Sequence, residues 1–263
     1  MTNELTESKN FAVGAALDAE FLADAGRGFE EANKDAYAVP FLRVLQDLSP
    51  QVKKKMAGYI PGAEPGMLLN TVTQEVMRAV RVIPCYFQQT YIEWVPRDKG
   101  GGLAAVHAPG APILNTAIRE GNRTVLPNGN EIMDTRSHFV LLLKEDGTYE
   151  QALLSMSSTQ LKVSRRWMSQ MRSAMVEVRG TMVQAPMYAF SYLISSEEEA
   201  NDQGSWYSFS VKERQQVQSI ELYRAAKAFG SMMASGSSKV NYADLQTAPV
   251  SETPADLDNE IEA

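Results

Sequence analysis

The sequence predicts a β-rich α+β domain flanked by acidic ends, and three observations carry that reading. Runs dense in β-branched and aromatic residues recur between about residues 80 and 215, helical spacing is confined to two segments, and the charge changes sign along the chain. Of the 263 residues 44% are hydrophobic, enough to bury one sizeable core.

The charge divides the chain into three parts. Residues 1–36 hold eight acids and three bases, residues 241–263 hold six acids and no base, and residues 37–240 hold 22 Lys and Arg against 18 Asp and Glu. The overall net charge of -7 therefore conceals a mildly basic body. The first part reads as an acidic arm, helical or disordered, because its apolar residues are thinly spaced. The last combines Pro249 and Pro254 with Asp256, Asp258, Glu260 and Glu262, and has too few large apolar side chains to offset its ordering entropy, so a disordered tail is expected.

Within residues 37–240 the elements follow from pattern. Val80 to Val95 reads as two strands or one bent one, with Pro84 and Cys85 marking a bulge or edge. Asn122 to Leu126 and Glu131 to Met133 read as a hairpin through Pro127-Asn128-Gly129-Asn130. Ser137 to Leu143 and Glu150 to Ser155 flank Asp146-Gly147, where glycine supplies the positive φ of a tight turn. The spacing of Leu161, Trp167, Met168, Met171, Met175 and Val178 predicts a helix over 161–179, with Lys162, Arg165, Arg166 and Arg172 on its other arc. Pro186 to Ile194 and Ser205 to Val211 alternate as strands, joined by a connector, SSEEEANDQG, that reads as a solvated loop. A second helix is expected over 215–233, ending at Gly236-Ser237-Ser238.

The chemistry the chain lacks narrows its function. Cys85 is the single cysteine, and with only His107 and His138 beside it no intramolecular disulfide and no zinc quartet of the Cys/His kind can form. There is no Gly-Lys-Ser/Thr phosphate loop, no Gly-x-Ser-x-Gly elbow and no His-Glu-x-x-His. A non-catalytic protein with no cofactor and no metal is expected. Glu4 and Glu7 stand where a secretory signal carries positive charge, and the longest apolar run near them, Phe11 to Leu17, is short of a membrane span, so a soluble cytoplasmic protein is expected.

Proteins that hold single strands without reading sequence combine cations for phosphates with aromatic faces for bases. Tyr86, Tyr91 and Trp94 stand beside a loop bearing Arg97 and Lys99, and Tyr91 alternates with Ile92 and Trp94 and so faces away from them. Lys162, Arg165, Arg166 and Arg172 give one helix face four cations and no acid, with Trp167 next to them; Lys53, Lys54 and Lys55 add a second basic cluster. Tyr188, Phe190 and Tyr192 form a row that suits either a stacking platform or a core.

Three segments carry a family resemblance: YIPGAEPGMLLNT at 59–71, VIPCYF at 82–87 running through IEWVPR at 92–97 to the glycines 100–102, and STQLKVSRRW at 158–167. Over roughly residues 37–215 the chain resembles a family of bacteriophage proteins commonly assigned as single-stranded DNA-binding replication proteins. The resemblance implies an OB-fold-like β-barrel core with one or two added helices, coating single-stranded DNA in the host cytoplasm during phage replication or recombination. It also implies that the acids Asp256, Asp258, Glu260 and Glu262 recruit replication or recombination partners and compete with DNA for the basic groove. The tail ends Glu260-Ile261-Glu262-Ala263, without the terminal aromatic of bacterial counterparts, which sets it apart from the usual recruitment signal. Self-association stays open, and no membrane partner is expected. The competing reading is a phage structural or assembly protein that makes protein contacts through methionines such as Met168, Met171 and Met175.

Overall fold

Val80 to Trp94, rich in residues that fit a pleated surface, forms one strand that runs through most of the main sheet. The structure, a computed structural model, describes residues 15–25, 27–28, 39–202, 204–236 and 240–247. Two units are distinguished, Met1–Tyr37 and Ala38–Ala263. In the first, the Ala-rich segment Ala15–Ala23 is helical (α1). Residues 1–14, 26 and 29–36 of the expected acidic arm lie outside the described residues. Of the tail expected to be disordered over 241–263, Tyr242–Thr247 forms a 3-10 turn with Tyr242 buried, its hydroxyl 3.1 Å from that of Ser137, and residues 248–263, with Asp256, Asp258, Glu260 and Glu262, lie outside the described residues.

In the second unit the strands are β1 (Leu42–Val44), β2 (Leu68–Asn70), β3 (Val76–Met77), β4 (Val80–Trp94), β5 (Leu103–His107), β6 (Ile118–Glu120) and β7 (Arg123–Val125). They continue with β8 (Glu131–Leu143), β9 (Tyr149–Ser157), β10 (Met175–Val178), β11 (Thr181–Gln184), β12 (Phe190–Asn201) and β13 (Gly204–Gln216). Two helices join them, α2 (Leu161–Arg172) and α3 (Ile220–Ala234). The main sheet has the order β13-β12-β4-β8-β7-β6, with β5 also beside β4 and β9 beside β8, and every pairing in it is antiparallel. The fold is β-rich α+β.

The sequence left one strand or two open for Val80 to Val95, and there is one. It bends at a bulge: Pro84 pairs with Val140 and Tyr86 with Phe139, so Cys85 is the extra residue and Pro84 sits where the ladder is already broken. Both expected hairpins into β8 form. Gly147 at φ 85° turns β8 into β9, and Gly129 at φ 83° turns β7 into β8.

Four expectations about these elements need correction. The connector SSEEEANDQG is mostly strand: β12 runs on to Asn201, which pairs with Gly204, because β13 supplies a partner for the whole charged stretch. At the other end Met187–Ala189 is a 3-10 turn, so the strand begins at Phe190. The helix expected over 161–179 stops at Arg172, and Met175 and Val178 belong to the β10–β11 hairpin, turned by Arg179 and Gly180, both at positive φ. The helix expected from 215 begins at Ile220, where the Ser219 hydroxyl accepts a hydrogen bond from the Leu222 N–H, while Gln215 and Gln216 finish β13.

The main sheet does not close on itself as a barrel. The small sheet β1-β2-β3 connects two of its edges instead. At β9, Phe41 bridges to Leu153 and the Leu153 N–H donates to the Pro40 carbonyl at 2.9 Å. At β13, the Gln46 amide donates to the Tyr207 carbonyl at 2.8 Å and accepts from the Tyr207 N–H at 2.9 Å. A side chain thus stands where a closed barrel has a ladder. One core lies under α2, where Val163, Trp167 and Met171 pack on Val140, Leu154, Tyr192, Ile194 and Phe209. A second lies under α3, where Ala226, Phe229 and Met233 meet Ile83, Cys85, Phe139 and Leu153.

Candidate nucleic-acid interface

Helix α2 is built so that its two arcs have different fates. Val163, Trp167 and Met171, four residues apart, are buried, while Lys162, Arg165, Arg166 and Arg172 are exposed. Trp167 stacks on His138 with ring centroids 4.6 Å apart and meets Tyr192 edge-on at 5.6 Å. This anchors the helix, and it corrects the expectation that Trp167 and Tyr192 offer surface for bases: they are 1% and 2% exposed.

The cationic arc is not of one sign in its surroundings. Lys162 Nζ lies 2.5 Å from Glu199 Oε2 on β12, and Glu197, two residues before, is ion-paired with Lys212. The Lys212 hydrogen bond is the first cause that holds the Glu197 carboxyl below the usual carboxylate range, and the Arg166 charge adds to it. Arg165, Arg166 and Arg172 have no carboxylate within ion-pairing distance among the described residues. Three of the four expected helix cations therefore stand free.

The other expected residues are dispersed. Lys53, Lys54 and Lys55 are exposed on the turn after the 3-10 segment Pro50–Val52. Arg97 and Lys99 are exposed beyond the end of β4, beside an open cleft of about 480 Å3 where Lys99 and Arg123 face Asp98, Glu120 and Glu131. Carboxylates outnumber the cations in that lining. Tyr86 is half-buried against Phe139, and Tyr188 packs edge-on against Tyr223 at 5.0 Å, so both belong to the core under α3 rather than to a stacking row. Trp94 is half-buried where β4 ends. Tyr91 is half-buried opposite Asp134, its hydroxyl accepting from the Gln89 amide at 3.1 Å.

Two polar networks along β4 and β8 were not foreseen from the sequence. Gln89 donates to Asp134 at 3.0 Å, and Arg136 holds the same carboxylate through two bonds of 3.1 Å. Glu93 is 5% exposed, and its carboxylate meets the amides of Asn128 at 3.1 Å and Asn130 at 2.6 Å and His107 Nε2 at 2.7 Å. Burial opposes its ionisation, but the bonds from Asn130, His107 and Asn128 outweigh it and hold the carboxyl below its usual range. This network pins the β7–β8 turn and β5 to β4. The signal for it was Asn128 and Asn130 in a turn that also carries Gly129, but a partner 35 residues away is set by strand register alone.

His138 is fully buried, its Nε2 2.8 Å from the Ser164 hydroxyl. Burial, reinforced by the Arg136 charge, pushes its pKa down to about 3, so the ring is neutral. Burial likewise pushes the Cys85 thiol up to about 12, against a backbone hydrogen bond from Leu141, so it is an inert core residue. Among the described residues no three His, Cys, Asp or Glu side chains are grouped to hold a metal ion.

Residues 8–239 match the family model described as Pam3 phage gp34-like protein. The chain belongs to that family. No curated protein and no solved structure matches it. The gp34-like region spans α2 with its arginines, both polar networks and the β10–β11 hairpin. No helix among the described residues of this phage protein is long and apolar enough to cross a membrane.

Proposed function

We propose that this gp34-like protein binds single-stranded DNA without catalysis, during phage replication or recombination. The observation that carries the reading is the exposed arc of α2, where Arg165, Arg166 and Arg172 stand without carboxylate partners on a helix fixed to the core through Trp167. Fixed, unneutralised guanidinium groups suit phosphates, and each phosphate they neutralise releases counterions. We read the bent sheet, with β1 and β2 bridging β9 and β13, as an opened relative of an OB barrel. The acidic tail is proposed to recruit replication or recombination proteins and to compete for the same cations.

The test is fluorescence anisotropy of a labelled poly-dT oligonucleotide at two salt concentrations, with duplex of equal length as competitor. Salt-sensitive binding that duplex fails to displace is expected; no binding, even after removal of residues 248–263, overturns the reading.

A second reading, a phage assembly protein making protein contacts, rests on a separate observation. The β10–β11 hairpin exposes Met175, Val178, Met182 and Val183, at 39–57%. Sedimentation of the full chain without DNA separates the two, since large ordered oligomers that dissociate on Met182→Gln with Val183→Thr favour assembly.

A further inference from the structure

A strand held by the α2 arginines needs surfaces for its bases, and the rings packed under that helix, Trp167 and Tyr192, are buried. The β10–β11 hairpin follows α2 directly and is a ribbon of its own: its two strands pair with each other and with no other strand among the described residues. Its base is fixed to the end of α2. The Gln184 amide donates to the Arg172 carbonyl at 3.1 Å, and the Ala185 N–H donates to the Ala174 carbonyl at 2.9 Å. Val176 packs on the first core.

Beyond that base both faces of the ribbon are open to solvent. The register pairs Met175 with Gln184, Val176 with Val183, Glu177 with Met182 and Val178 with Thr181. Met175 and Met182 are therefore diagonal neighbours on one face, and Val178 and Val183 lie on the other with Val176. Because Val176 leans on the core, the methionine face is the one turned from it, with Met182 57% exposed.

Charge decides what this surface suits. Arg165, Arg166 and Arg172 precede it on α2, and Arg179 stands exposed at its tip. None of the four is ion-paired among the described residues, and Glu177 is the one carboxylate on the ribbon. A second copy docking through the same patch about a twofold axis would bring arginines against arginines. A duplex hides the faces of its bases and presents only groove edges and phosphates. A single strand presents phosphates and open base faces together. Methionine suits such faces, because its polarizable thioether makes favourable contacts with aromatic rings and its flexible chain adapts to any of them.

We propose that the β10–β11 ribbon is the base-contacting element of the single-strand site, with Met175 and Met182 against unpaired bases and Arg172 and Arg179 on the flanking phosphates. This rests on the single-strand binding proposed above.

The test is anisotropy of two labelled oligomers of equal length, oligo-dT and an abasic deoxyribose-phosphate strand, titrated with the full-length wild type and with Met175→Gln/Met182→Gln. The double variant weakens oligo-dT binding by about 3- to 30-fold, the worth of two sulfur–ring contacts. It binds the abasic strand like the wild type, and its salt slope is unchanged because no phosphate contact is lost. Peroxide oxidation read by mass spectrometry supplies a measurement that needs no variant to fold: oligo-dT slows sulfoxide formation at Met175 and Met182 more than the abasic strand does. If oligo-dT binds in a salt-sensitive way while neither the double variant nor the oxidation rates respond, the ribbon inference falls and the single-strand reading stands. If oligo-dT does not bind, both fall. Equal losses on the two oligomers overturn the base contact. Oligomers that form without DNA, shield these methionines and dissociate in the double variant make the ribbon a contact between copies and overturn the proposal.

Discussion

Gly230 of α3 passes so close to the bulge in β4 that a Cβ on it would lie 2.3 Å from the carbonyl oxygen of Cys85. The bulge pushes that carbonyl toward the helix, and the absent side chain lets Ala226, Phe229 and Met233 reach the second core. Gly230→Ala adds about 1 kcal/mol of helix propensity. It also forces a backbone carbonyl, which cannot rotate away as a side chain would, and overpacking of this kind costs about 1–3 kcal/mol. The clash wins, so the variant unfolds at lower urea than the wild type; an unchanged or higher midpoint contradicts the close approach.

His138 makes the protein sensitive to acid. Its pKa is about 3 in the folded chain and about 6.5 unfolded, so below pH 6.5 the unfolded state binds the proton and the folded state does not. Its contribution is complete above pH 6.5 and is lost as the pH falls toward 3, at a slope of up to about 1.4 kcal/mol per pH unit. Urea denaturation between pH 7 and 4 measures the slope. His138→Gln, which keeps a polar group near Ser164, flattens the limb between pH 6.5 and 5; a limb unchanged in that variant assigns the acid sensitivity to other groups.

The strands were legible wherever the local chain decides them. Asp146-Gly147 and Gly129 fixed two turns, and the dense β-branched run from Val80 gave β4. What failed was decided by partners distant in sequence. Glu197 to Glu199 look like loop by composition, yet β13 recruits them into a ladder. Trp167 and Tyr192 look available beside a row of cations, yet they meet edge-on in the core and Trp167 stacks on His138, because α2 folds onto the sheet. Met175 and Val178 continue the helical spacing, but Gly180 and Arg179 favour a tight hairpin turn, and that turn prevails. The free arginines of α2 could be read as exposed from periodicity alone, whereas the Glu93 and Asp134 networks needed the register of β4 against β8 and β5.

The burial of Trp167 separates two roles. If it were a stacking platform, Trp167→Ala would weaken DNA binding and leave stability nearly unchanged. At 1% exposure among Val163, Met171, Tyr192 and His138 it acts as a core anchor, and truncating such a ring costs about 3–5 kcal/mol. Chemical denaturation of Trp167→Ala is expected to give a loss of that size. Arg165→Glu with Arg166→Glu, by contrast, leaves the unfolding midpoint within experimental scatter and weakens oligo-dT binding, with a log–log salt slope shallower by about one for each phosphate contact removed.

Glu199 and Glu197 oppose the proposed DNA contact from inside the protein. Glu199 neutralises Lys162, and Glu197 places a carboxylate in the field of Arg166 while pairing with Lys212. Surface pairs of this kind contribute about 0–1 kcal/mol to stability, so Glu197→Gln with Glu199→Gln folds as well as the wild type. Removing both carboxylates frees Lys162 for a phosphate and raises the potential along α2. The double variant therefore binds oligo-dT more tightly at low salt and with a steeper salt dependence, by about one further counterion released per cation freed. Lys162→Ala in the wild-type background costs less affinity than Arg165→Ala, because Lys162 is already engaged, and this difference narrows in the double variant. Anisotropy titrations of the six proteins (both backgrounds, each alone, with Lys162→Ala and with Arg165→Ala) at two salt concentrations measure both effects. Equal affinities across the set would remove α2 from the DNA contact and leave the exposed hairpin next to it as the working surface.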